Sequence, residues 1–195
     1  ILKRFIEYIL IKDINLNYIL QELKATRCQH VSLEVSDVDK SLNFYRNFLG
    51  MKLSERHKAG EHRNIPFEMA FLRLNNKHHD LVLTHDPNRK YIKKSPLESA
   101  AGIHHFAFEC PNRNSFLDHL SRAKAMNLDI VRGPVIHSSF HKMGDGSWGE
   151  NESFYVLDPD SHRIEIFCDM ATITNKGQYL NSSGVAIPNT IAEDI

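Results

Sequence analysis

The chain repeats a pattern at a distance of 75 residues. Sliding the sequence by that amount aligns His30 with His105, Glu34 with Glu109, Leu42 with Leu117, Met51 with Met126 and Leu53 with Leu128. Few identities survive, but the order of elements does. Each copy opens with an alternating strand, Cys28-Gln29-His30-Val31-Ser32-Leu33-Glu34-Val35 and Gly102-Ile103-His104-His105-Phe106-Ala107-Phe108-Glu109-Cys110. A polar turn then leads into a stretch of helical period. Leu42, Tyr45, Phe48 and Leu49 fall on one face in the first copy, and Phe116, Leu117, Leu120 and Ala123 do so in the second. Asp39 and Asn114 are the expected N-caps, and Gly50 the residue that ends the first helix in a left-handed conformation.

Three short strands follow each helix: 52–56, 68–74 and 80–84 in the first copy, 128–132, 152–157 and 162–167 in the second. The fold class is therefore α+β, built from two βαβββ modules. A curved four-stranded sheet with one helix on its convex side closes no cavity alone, so the two sheets are expected to pair into a cupped half-barrel. This core spans 27–170, with module one at 27–86 and module two at 102–170. Residues 1–26 carry a mixed apolar face (Phe5, Tyr8, Ile9, Ile14, Tyr18, Leu20) and read as a helical arm for packing or dimerisation. Residues 171–195 become polar and contain Gly, Ser and Asn, which predicts a tail that lies over the surface or is partly disordered.

Composition narrows the partners. At 195 residues with 42% hydrophobic content there is material for one good-sized core. Lys and Arg number 24 against 24 Asp and Glu, so no basic field is expected to draw in nucleic acid or an anionic membrane. The longest apolar stretches fall far short of a membrane span, and Ile1-Leu2-Lys3-Arg4-Phe5 lacks a signal peptide's apolar region, so a cytoplasmic address is expected. Cys28, Cys110 and Cys168 cannot all pair and contain no Cys-x-x-Cys spacing. Cys110 and Cys168 share strand parity with Phe106, Phe108, Ile164 and Ile166, which makes them small core hydrophobes.

Parity also says which side chains face the cup. Val31, Leu33 and Val35 alternate with His30, Ser32 and Glu34, and the apolar set packs on the helix. His30 then points inward, as do His105 and Glu165 by the same alternation. A lone strand histidine is usually structural. Two at the same point of two repeats, joined by a carboxylate on the last strand of the second, form the donor set of a non-haem Fe(II) site with open positions.

With these residues the chain resembles the vicinal oxygen chelate superfamily, and within it the type I extradiol ring-cleaving dioxygenases such as catechol 2,3-dioxygenases. The resemblance covers about residues 27–170. It implies metal ligands at His30, His105 and Glu165 and an iron cofactor, Fe(II), with Mn(II) as the alternative. Glyoxalase I commonly adds a ligand from the last strand of module one, where this chain has Val82, and an apolar side chain cannot ligate.

Three segments resemble the extradiol branch: His79-Asp80-Leu81-Val82-Leu83-Thr84, whose histidine is that family's acid/base; Arg132-Gly133-Pro134-Val135-Ile136-His137, whose histidine lines the substrate pocket; and Phe154-Tyr155-Val156-Leu157-Asp158-Pro159, whose tyrosine bonds a substrate oxygen. The resemblance thus implies catalytic roles for His79, Tyr155 and His137 and a substrate-side role for Arg132. Competing structural explanations are a polar turn at His78-His79, where parity with Val82 turns His78 inward, and a plain turn at Asp158-Pro159. Residues 138–151 depart from the family in length, and their glycines predict a mobile loop. In it His141 is an alternative to His137 as pocket residue, and Trp148 either closes over an aromatic ring or anchors the loop. The expected partners are a small aromatic diol and O2, in a homo-oligomer. The alternatives are a glyoxalase-like isomerase, a fosfomycin-modifying type and a non-catalytic small-molecule-binding member.

Overall fold

The computed structural model describes residues 27–63, 65–92, 102–146 and 149–191. The chain divides into two compact units, Ile1–Val31 and Ser32–Ile195. The expected arm at 1–26 lies outside the described residues. Of the first unit, Cys28 and His30 are exposed, and His30 Nδ1 lies 2.7 Å from Gln29 Oε1.

Module one consists of β1 (Val31–Glu34), α1 (Val38–Leu49), β2 (Lys52–His57), β3 (Glu68–Arg73) and β4 (Leu81–His85), in sheet order β1-β4-β3-β2. Module two repeats it with β5 (Phe106–Glu109), α2 (Arg113–Ala125), β6 (Ile130–His137), β7 (Asn151–Leu157) and β8 (Arg163–Cys168), in order β5-β8-β7-β6. The βαβββ units are as expected, and β6 runs five residues beyond its expected end.

Each helix buries the stripe its period dictates: Val38, Leu42, Tyr45, Phe48 and Leu49 on α1, and Phe116, Leu120 and Ala123 on α2. Leu117 departs from expectation, since it lies at the stripe's edge and stays 36% exposed. The N-caps are Asp37, accepting from Lys40 N at 2.9 Å, and Asn112, accepting from Ser115 N at 3.0 Å. Both lie two residues before the expected Asp39 and Asn114. A cap needs extended backbone and an acceptor that reaches three residues ahead, and only the earlier Asx of each turn has both. Asp39 instead adds negative charge to the first turn of α1 and pairs with Arg56 at 2.6 Å. Gly50 ends α1 with φ 70°, as expected.

The core follows strand parity. Leu33, Val35, Leu72, Leu81 and Leu83 of module one and Phe154, Val156, Ile164 and Ile166 of module two are buried. Cys110 and Cys168 are buried too, and burial pushes both thiols up, Cys168 to about 12, so they act as apolar filling. Hydrogen bonds join the modules: Tyr45 donates to Asp158 Oδ2 at 2.8 Å, Ser36 N to Asp160 Oδ2 at 3.0 Å, and Arg122 to Phe48 O at 2.9 Å.

The expected polar tail is instead a three-stranded antiparallel sheet of β9 (Thr172–Ile173), β10 (Gln178–Leu180) and β11 (Ala186–Ile191). Its Asn, Ser and Gly residues are hairpin chemistry, with Gly177 N bonded to Thr174 O at 2.9 Å and Gly184 N to Asn181 O at 2.8 Å. Residues 192–195 lie outside the described set.

Candidate active site

The repeat relationship can be fixed by hydrogen bonds at the open end of each outer strand. Val35 N donates to Thr84 O at 2.9 Å in module one, and Cys110 N to Phe167 O at 2.7 Å in module two. Thr84 and Phe167 are therefore equivalent, and two residues earlier so are Val82 and Glu165. Val82 is buried and sits opposite Phe71 in the register. Glu165 sits between Ala107 and Tyr155.

Glu165 is only 8% exposed, and a carboxylate at that depth needs partners. Its Oε1 accepts from Tyr155 Oη at 2.8 Å and from Ser153 Oγ at 2.6 Å. Its Oε2 lies 3.1 Å from His105 Nε2. Burial first, then the charges of His104 and Arg163, hold the His105 pKa below its ordinary value despite the opposing pull of Glu165. That favours the neutral imidazole, the form that ligates a metal. With both Oε1 lone pairs used, Oε2 and Nε2 remain as a facing oxygen and nitrogen donor. Their separation suits two neighbouring ligands on one ion, for which bonds of about 2.0–2.2 Å are usual. His30, the third expected ligand, is the residue before β1 and belongs to the first unit.

Around this pair stands a polar cluster. His137 is 4% exposed, with Nδ1 2.8 Å from Asp145 Oδ1 and Nε2 3.1 Å from Tyr155 Oη. An Nδ1–H donated to the carboxylate leaves Nε2 as acceptor, so the Tyr155 hydroxyl has two acceptors in reach, His137 and Glu165. Burial first, then Glu165, pushes the Tyr155 hydroxyl up to about 12, which keeps it a donor. Arg132 pairs with Asp145 at 2.6 Å and lies 5.9 Å from the Tyr155 ring centroid. Arg163 covers the ring at 4.3 Å, and its Nε is buried without a partner.

A bulge makes this cluster possible. Arg132 and His137 are five residues apart, so in a regular strand they would face opposite ways. In β6, however, Arg132 pairs with Tyr155 and Val135 with Ser153, three steps against two. The extra residue brings Arg132 and His137 to one face. It requires Gly133: φ is 85°, and a Cβ there would lie 2.6 Å from Ser153 O.

The structure thus brings His105, Glu165, Tyr155, His137 and Arg132 together. His79, half-buried before β4, packs on the Phe71 ring at 5.2 Å and lies beside His78, which is exposed yet packs on the same ring at 5.5 Å. His141 is exposed and accepts from Met143 N at 3.1 Å, so His137, not His141, stands in the cluster. Trp148 lies outside the described residues. The loop expected to be mobile is tied down over 138–146, where Asp145 N donates to Ile136 O at 2.9 Å and Ser138 Oγ accepts from His141 N at 2.9 Å. Sequence reasoning missed Asp145, Ser153 and the buried Asn151, whose Oδ1 lies 2.5 Å from Ser153 Oγ. Parity of β7 with Tyr155 could have found the last two. Nothing local pointed to Asp145.

The Glyoxalase/Bleomycin resistance protein/Dioxygenase superfamily profile matches residues 27–166. Human mitochondrial methylmalonyl-CoA epimerase is 31% identical over 52% of this chain and 56% of its own length. Catechol-2,3-dioxygenase of Bacillus subtilis (strain 168) is 25% identical over 86% of this chain and 52% of its own. The chain thus spans little more than half of these two relatives. Lactoylglutathione lyase of Neisseria meningitidis serogroup A is 32% identical over 71% of this chain and 88% of its own length. Among solved structures, a glyoxylase/bleomycin resistance protein/dioxygenase domain from Frankia sp. EAN1pec superposes with a TM-score of 0.58 at 17% identity, covering 74% of this chain and 98% of that one.

Proposed function

The chain belongs to the glyoxalase/bleomycin resistance protein/dioxygenase superfamily, and within it we propose an Fe(II)-dependent extradiol dioxygenase that opens the ring of a small aromatic vicinal diol with O2. The observation that carries this proposal is the hydrogen-bonded row from Asp145 through His137 and Tyr155 to Glu165, which ends on the carboxylate facing His105. His105 and Glu165 would hold the ion, with His30 as the third ligand that the family resemblance implies and Mn(II) as the alternative to Fe(II). Bound there, it supplies a place for diol and dioxygen side by side and a route for electron density between them, which ground-state O2 otherwise lacks.

The chain's own groups do the rest. A diol must lose a proton on binding, and His79 on module one is the assigned acceptor. Tyr155 donates to the developing oxyanion when it turns from Glu165. His137, held by Asp145, keeps Tyr155 supplied with a second acceptor or donor as the proton moves. Arg132 and Arg163 flank the tyrosine ring. Trp148 is assigned to the substrate side. The enzyme is assigned to the cytoplasm as a homo-oligomer. Among the described residues, no helix is long and apolar enough to cross a membrane.

A second proposal, a glyoxalase-like isomerase, draws support from the match along 88% of the lactoylglutathione lyase. Val82 weighs against it, because the module-one counterpart of Glu165 has no donor atom. Anaerobic loading with Fe(II), then O2 and a panel of catechols, separates the two. The dioxygenase gives oxygen uptake and a yellow ring-opened product. Intact metal binding with no oxygen uptake on any diol, and formation of lactoylglutathione when glutathione and methylglyoxal are supplied instead, would establish the isomerase.

A further inference from the structure

We propose that the end of β2 and the turn after it form a second divalent-metal site, made by His57, Glu61 and His62, that takes Zn(II). The donor atoms of these three residues lie within 4.8 Å of one another. His57 Nδ1 and His62 Nε2 face each other at 2.8 Å. With metal–nitrogen bonds of about 2.05 Å, that separation corresponds to an angle of about 86° at a shared ion, and opening it to tetrahedral needs a shift of about 0.5 Å. His62 is exposed and can make that shift, while His57 is half-buried and fixed.

The turn is folded for this approach. Glu61 N bonds to Lys58 O at 3.1 Å, Gly60 N to Ile65 O at 3.1 Å, and Ile65 N to His62 O at 3.0 Å, which lays His62 back over the strand end. Glu61 is held by one oxygen only, since Oε2 accepts from Lys58 N at 2.7 Å. Oε1 is left to ligate.

A second layer orients the first. The other nitrogen of His57, Nε2, lies 2.9 Å from Glu55 Oε1, and Glu55 Oε2 lies 3.0 Å from His78 Nε2. A carboxylate on the far nitrogen fixes the tautomer and raises the basicity of a metal-binding imidazole. Two nitrogens and one oxygen, with a position left for water, suit Zn(II); Ca(II) and Mg(II) prefer all-oxygen sets. None of these residues belongs to the His105–Glu165 site.

Zn(II) binding to the full chain, measured by competition with a chromogenic chelator, tests the proposal. His62→Ala should remove one bound equivalent, whatever the starting count, while circular dichroism stays unchanged. His105→Ala should leave that equivalent in place. Glu55→Gln should weaken it by about tenfold, the loss usual for a residue behind a metal ligand. Co(II) substituted at the site should show visible absorption that disappears with His62→Ala. An unchanged Zn(II) count and Co(II) spectrum in His62→Ala would overturn the proposal and leave the His57–His62 contact an ordinary hydrogen bond.

Discussion

Module one places Val82 where module two places Glu165, and the two inner faces diverge from there. Beside Val82 stand Phe71 and Met69, with Glu55 and His57 on the next strand. Beside Glu165 stand Tyr155 and Ser153, with Arg132 and His137 on the next. The outer faces, by contrast, do the same task in both copies and carry the same kind of residue, Leu72, Leu81 and Leu83 against Phe154, Val156, Ile164 and Ile166. Duplication conserved what the helix packs on and left the cup face free to specialise. One module became mostly wall, the other most of the reactive polar groups.

The largest effect should come from the pair of equivalent positions. Glu165→Gln is expected to lower metal affinity by more than ~100-fold, since a neutral amide replaces a ligating carboxylate whose neighbours are set to donate to it. Val82→Ala should leave metal binding intact and cost about 1–3 kcal/mol of stability through lost burial and a cavity. Metal titration and denaturant unfolding of both variants measure this directly. Metal loss in Val82→Ala would break the asymmetry between the modules.

A smaller effect distinguishes the bulges of the two modules. Both modules insert a residue at the same point of the strand after the helix, between Leu53 and Glu55 in β2 and between Ile130 and Arg132 in β6, and module two alone inserts another between Arg132 and Val135. In module one Ser54 occupies the extra position, its hydroxyl accepting from Arg73 at 2.8 Å. In the added bulge of module two Gly133 stands against the Ser153 carbonyl. Gly133→Ala should cost about 1–3 kcal/mol from backbone strain alone and at least tenfold in turnover, because Arg132 and His137 lose their common face. Ser54→Ala should cost less in stability and nothing in turnover. Equal losses in the two variants would show that the bulge in module two shapes no site.

These bulges also mark where the sequence stops being legible. The repeat, the strand order and the inward direction of His105 and Glu165 follow from period and parity, which depend on residues close in the chain. Arg132 and His137 do not. Their joint placement rests on an irregularity that breaks parity at Gly133-Pro134, and on Asp145, eight residues past His137, returning across β6. The caps slipped by two residues because each turn offers several Asx candidates and only backbone conformation chooses between them. Hairpin turns and disordered polar segments share a composition, so the sequence alone does not separate the last sheet from a tail.

The turns before the last strand of each module give the smallest expected effect and the most specific one. In module one Asp80 holds the turn near the surface, accepting from Leu74 N at 2.7 Å. In module two Asp158 is buried, accepts from Tyr45 at 2.8 Å and lies 2.8 Å from His162 Nδ1. Burial works against a charged His162, but the hydrogen bond and charge of Asp158, helped by Asp160, outweigh it and hold the ring above its ordinary value. A histidine whose pKa is raised by folding stabilises the fold fully below its unfolded value of about 6.5, and loses that contribution as pH rises through the higher folded value. His105 has the opposite sign, its pKa being lowered, so total stability against pH mixes the two. The difference between wild type and His162→Gln isolates the turn. Melting temperatures should show wild type ahead of the variant at pH 6, with the gap closing towards pH 8.5. A gap that stays constant across that range would mean that His162 holds the turn by packing and a neutral hydrogen bond, and that the buried Asp158 draws its compensation from Tyr45 and the backbone alone.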